Sequence, residues 1–200
     1  MAYEKQPKEE LKSNMIDDKF PMLKALHADG PASDRAEQMM LYGQLIGSWD
    51  GRIFSQKFHV DSNAEVIFEE GDRIETTLEV HFGWALQGRA IQDVWIAPSR
   101  YHVNSATQDL MYGTTLRVYD PKNDVWYVTF IDPVTTQSYH RMIARKVGND
   151  IIQEYRTGEK ICQWNFTEIT ADSFHWMWRE STDNGKAWKV PAEFFLKRRR

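Results

Sequence analysis

The sequence predicts an all-β fold: an antiparallel meander closed into a β-barrel, with N-terminal helical segments covering one end. Three observations carry this. From Gly47 onward the apolar residues alternate with a period of two. Turn signals then recur roughly every ten residues to the end of the chain. The breaks are mostly short, so consecutive strands pair with their neighbours, and a long meander without crossovers removes its exposed edges by closing. The first and last strands, carrying Trp49 and Trp188, would then pair. The 200 residues fit one such unit. Residues 1–45 read as an extension with a helix and 46–200 as the barrel domain.

The elements follow in order. Residues 1–18 are polar and read as loose. Phe20, Met22, Leu23 and Leu26 suit a short helix with Pro21 in its first turn. A clearer helix follows, with Asp34 as N-cap and Glu37 at the capping-box spacing. Ala36, Met39, Met40, Gly43 and Ile46 fall on one face of it, as a cover for a barrel end or as a lid with two adaptable Met. Strands are expected near 47–57, 64–70, 73–86, 88–97, 110–119, 124–132, 137–147, 150–157, 160–169, 173–180 and 187–196. Glu70-Gly71-Asp72 reads as a tight turn, and Asp120-Pro121-Lys122-Asn123-Asp124, Gly148-Asn149 and Asp183-Asn184-Gly185 as further turns. The longest break, Pro98 to Asp109, is a candidate loop over the barrel mouth.

Composition excludes several classes. The formal charge is −4, so nothing global attracts nucleic acid, and Lys197-Arg198-Arg199-Arg200 reads as a solvated tail. The single cysteine, Cys162, precludes an internal disulfide and reads as a small core residue. No window reaches a membrane span and the N-terminus lacks an apolar signal region, so a cytoplasmic protein without membrane partners is expected. There is no Gly-x-Ser-x-Gly elbow, phosphate-binding glycine loop or His-Glu-x-x-His zinc helix. No metal is expected.

Three segments resemble a known superfamily. Gly47-Ser48-Trp49-Asp50-Gly51 resembles the Gly-x-Trp signature that opens the first strand of calycins, the lipocalin-like superfamily. The segment from Trp84 through Gly88, Arg89, Gln92 and Asp93 to Trp95 resembles a strand pair of bacterial lipocalin-like proteins of uncharacterised function. The segment from Trp176 and Trp178 through Ser181, Asp183 and Gly185 to Trp188 does so as well. The resemblance spans about residues 44–197. It implies a single barrel with a lumen for a small, mostly apolar ligand, and it brings no catalytic residues.

Strand 88–97 is the most unusual stretch. Arg89, Ile91, Asp93 and Trp95 share one face, so a cation, an anion and an indole alternate where a barrel strand normally has a clean apolar side. Facing inward, Arg89 and Asp93 would pair with each other or anchor a polar ligand group, with Trp95 beside it. Arg89, Asp93, Tyr112 and His140 are the candidate acid–base residues. Trp84, Trp95, Trp126 and Trp176, with His81 and His175, are the candidate ligand-binding residues. His81, His140 and His175 lie on separate strands and converge only if all three point inward.

Two functions follow: a binding barrel for a small, largely apolar, aromatic-compatible ligand, or a cofactor-independent lyase, isomerase or cyclase acting on such a molecule by general acid–base catalysis. Haem, as in nitrobindin-type barrels, is not expected, because no histidine stands on the last strand. Pairing of two copies through an aromatic outer face is a further expectation.

Overall fold

The computed structural model describes residues 20–63, 65–101, 110–134 and 136–200. Ten antiparallel strands close into one barrel: β1 (Gly47–Val60), β2 (Val66–Ala85), β3 (Ala90–Ala97), β4 (Met111–Asp120), β5 (Val125–Asp132), β6 (Ser138–Val147), β7 (Asp150–Thr157), β8 (Lys160–Thr167), β9 (Ser173–Ser181) and β10 (Lys189–Arg198). Each strand pairs with its sequence neighbours, and β10 returns to β1 with Trp49 opposite Arg198. The first and last strands thus pair as expected, although Trp188 stands just before β10.

The expected turn at Glu70-Gly71-Asp72 is not one. β2 runs through it as a single strand of 20 residues. Gly71 takes a φ of +139°, which a residue without Cβ adopts inside an extended run. The β1–β2 register slips here, between Gln56 and Phe58. The bulge bends the hairpin tip, so that Phe58, Val66 and Phe68 line the interior, and Phe68 meets the Trp178 ring edge-on at 5.0 Å.

Among the described residues, two helices precede the barrel: α1 (Pro21–Leu26), with Pro21 in its first turn, and α2 (Ala36–Gly43), entered through the 3-10 turn Ser33–Arg35. Asp34 does not cap α2. The N-cap is Arg35, without a side-chain cap. The Asp34 carboxylate instead accepts from Arg89 at 2.9 Å and Arg35 at 3.2 Å, and these guanidiniums hold its pKa below the usual range. The buried face of α2 is Met39, Tyr42 and Gly43, whereas Met40 points outward and is 47% exposed. Only one of the two Met is therefore available to the interior. A Cβ on Gly43 would stand 2.5 Å from the Trp84 ring, so glycine allows the helix to lie directly on that indole.

Trp49 closes the barrel beneath this cover. It is fully buried, donates Nε1–H to the Leu45 carbonyl at 2.7 Å and meets Phe174 edge-on. Burying such a ring contributes at most about 4–6 kcal/mol. Arg198 lies over its face at 4.1 Å and donates to the carbonyls of Ile46, Gln44 and Ala171. Arg199 pairs with Asp50 and approaches Glu79 at 3.7 Å. The basic C-terminus is therefore not a free tail, because β10 extends to Arg198 and these guanidiniums fasten the barrel closure. Among the described residues, no helix is long and apolar enough to cross a membrane.

Candidate functional site

The inward parity of the strands builds one aromatic interior. Ile53, Trp95, Phe130, Trp164, Trp176, Trp178, Ala192 and Phe194 surround a cavity of about 90 Å³, with Leu110 and Met111 beside them. Most of the rings pack edge-on or tilted. Trp164 stands 5.0 Å from Trp178 and 5.8 Å from Trp176, and Trp176 stacks on Phe194 at 4.4 Å. Few polar groups reach this space. Thr115, Arg117 and Gln153 stand on one side, Asp132, Thr136 and Ser138 at the far rim, and His140 between.

Asp93 does face inward, but its partner is Arg117 of β4. The guanidinium Nη1 donates to the Asp93 carboxylate, which also accepts from the Thr115 backbone N–H at 2.9 Å. Arg117 Nε donates to Gln153 Oε1 at 3.3 Å, an oxygen that also accepts from Tyr42 Oη at 2.9 Å. Gln153 Nε2 in turn donates to the Trp164 carbonyl at 3.1 Å. The guanidinium lies over the rings of Tyr42, Phe82 and Phe166, at 4.8, 5.6 and 5.6 Å. Burial pushes the Tyr42 phenol far above its ordinary range, so it acts only as a neutral donor. This network ties the helical cover to the barrel floor.

His140 is the second inward polar group. Its Nε2 and the Trp164 Nε1–H are buried without a hydrogen-bond partner among the described residues. The two rings stand 5.0 Å apart. Burial, reinforced by the charge of Lys160 and opposed by that of Glu65, lowers the His140 pKa to about 4. At neutral pH its imidazole is uncharged.

The other candidates lie elsewhere. Arg89 falls in the turn before β3, outside the barrel, where Asp34 claims it, so it cannot pair with Asp93. Tyr112 points outward and is 40% exposed. His81 is on the outer side of β2, where Nδ1 meets Ser48 Oγ at 2.9 Å and Nε2 meets Glu79 at 3.3 Å. His175 is outside as well, stacked on Phe195 at 4.3 Å. The three histidines therefore do not converge, because His81 and His175 have the outward parity of their strands. Trp95 and Trp176 line the cavity, Trp84 lies under α2, and Trp126 is buried at the covered end 5.0 Å from Tyr42. Of the expected mouth loop, residues 102–109 lie outside the described residues. Among the described residues, no group of three or more His, Cys, Asp or Glu side chains is placed to hold a metal.

Arg117, Gln153 and Tyr42 were missed by sequence reasoning. Arg117 had a signal: it alternates in phase with Thr115 and Tyr119, and a cation on that face calls for a buried partner. Gln153 and Tyr42 had none.

No family model and no curated protein matches the chain. A solved structure does: the S-type phycobiliprotein lyase CPES from Guillardia theta, with a TM-score of 0.50 and 11% identity over 85% of this chain and 99% of that one. The shared feature is the barrel fold. At this identity the likeness concerns architecture alone.

Proposed function

We propose that this protein binds a small, largely apolar molecule by seating an aromatic or other planar group in the barrel lumen. The observation that supports this best is the cavity itself. It is walled by four indoles and four phenyl rings and is lined by two buried polar hydrogen-bonding atoms, His140 Nε2 and Trp164 Nε1, without a partner among the described residues. Leaving a buried donor unmet costs about 1–3 kcal/mol, which an acceptor atom on a ligand would recover. The neighbour's description as a lyase is consistent with a barrel that handles a small molecule. A second reading, an acid–base step on the bound molecule, is favoured by one feature, the neutral and unpartnered His140 imidazole.

The test is calorimetric titration with phenylbutanol, a neutral single-ring probe. Wild type is expected to bind it in one saturable site. Ala192→Phe, which fills the lumen from β10, is expected to abolish binding while the barrel stays folded. Equal binding by both proteins would refute a lumen site.

A further inference from the structure

The barrel wall is not sealed all round. Backbone pairing between β6 and β7 runs only from Ile143 opposite Glu154 to Val147 opposite Asp150. Ser138–Met142 of β6 and Tyr155–Thr157 of β7 have no partners across this seam, although both stretches pair on their other sides. The seam opens onto an outer groove of about 700 Å³. His140 and Val66 line both this groove and the inner cavity, so the two spaces share a wall at the His140 imidazole. Among the described residues, α2 lies over one end, and the β1–β2 tip is tied to β7 by the Thr157 hydroxyl, which donates to the Glu65 carboxylate.

The groove has a marked charge. Arg141, Arg145, Arg156 and Lys160 line it against Glu65 and Glu154. Glu154 lies 3.8 Å from Arg156, Lys160 pairs with Glu180 at 3.3 Å, and Glu65 is engaged by Thr157. Arg141 and Arg145 are exposed and make no ion pair among the described residues. The lumen alone holds about 90 Å³, too little for a whole drug-sized molecule, whereas lumen and groove together accommodate one.

We propose that the ligand is an amphipathic organic anion that lies across the β6–β7 seam, its apolar ring inside the lumen and its carboxylate or equivalent head on the Arg141–Arg145 side of the groove. This rests on the lumen-binding reading and adds the ligand class and the route of entry. His140 and Tyr155 meet across the seam, their ring centroids 5.0 Å apart and in contact, so these side chains turn aside to admit the ligand, and the exposed guanidiniums steer the anion towards them.

The experiment compares phenylbutyrate with phenylbutanol, which share ring and chain and differ in the charged head. Wild type is expected to bind phenylbutyrate about fivefold more tightly, and Arg141→Gln/Arg145→Gln to lose about that factor for phenylbutyrate while phenylbutanol stays within about twofold. The phenylbutyrate advantage should also shrink as salt rises. Both probes binding wild type, with the double variant weakening both equally or neither, would overturn the seam proposal and leave the lumen reading standing. Phenylbutanol that fails to bind, or binds Ala192→Phe as well as wild type, would overturn both.

Discussion

The buried ion pair yields the sharpest energetic test. The Arg117 side chain is 2% exposed and that of Asp93 not at all, so each charge depends on the other and on Gln153 and Thr115 for solvation. Asp93→Ala leaves a guanidinium enclosed by Tyr42, Phe82 and Phe166 without its counter-charge, together with an unpaired Thr115 N–H. Arg117→Met leaves the converse. Each single change is expected to cost about 3–5 kcal/mol. For a chain of this length that lowers Tm by roughly 6–20 °C. The double variant removes both charges and should cost less than either single one, about 0–2 kcal/mol, because no uncompensated charge remains. Urea unfolding followed by tryptophan fluorescence measures all three. Additive losses, or single losses below about 1 kcal/mol, would refute the view that this pair is a mutually dependent element of the floor.

Three further outcomes are expected. His140 has its pKa lowered to about 4 by burial, against 6.5 in the unfolded chain. Its neutral form thus contributes stability that is complete above pH 6.5 and is lost as pH falls towards 4, by about 3 kcal/mol. His140→Phe should flatten the stability–pH curve in that window, and a curve identical to wild type would contradict the assignment. Gly43→Ala should cost about 1–3 kcal/mol in urea unfolding by pressing on the Trp84 ring, and a neutral result would mean that α2 is not held against it. Cys162 is fully buried and burial raises its thiol pKa to about 11, so a thiol reagent should react with it only after unfolding, and rapid labelling of native protein would show otherwise.

Architecture was more legible in the sequence than the site. Period-two alternation and short turns specify neighbouring strand pairs, and closure follows from the need to remove edges, as the Trp49–Arg198 pairing bears out. Local signals misled at Gly71 and Asp34. Gly71 reads as a turn where β2 in fact continues with a positive φ, and the apparent cap Asp34 is claimed by a guanidinium 55 residues away. The site depends on register between strands. Asp93 lies opposite Thr115, which brings Arg117 within reach, and no spacing along one strand reveals that. The β6–β7 seam was invisible for the same reason, since both strands have ordinary alternating patterns and only their pairing lapses.

The central claim is that a ligand ring enters the lumen, and the most direct measurement is the nitrogen–proton spectrum of the indoles during titration with phenylbutanol. Trp95, Trp164, Trp176 and Trp178 line the cavity, whereas Trp49 and Trp188 do not. The account predicts shifts in the four lining indoles, largest at Trp164, whose Nε1–H lacks a partner, with Trp49 and Trp188 unmoved. Binding that leaves those four indoles unchanged would contradict it.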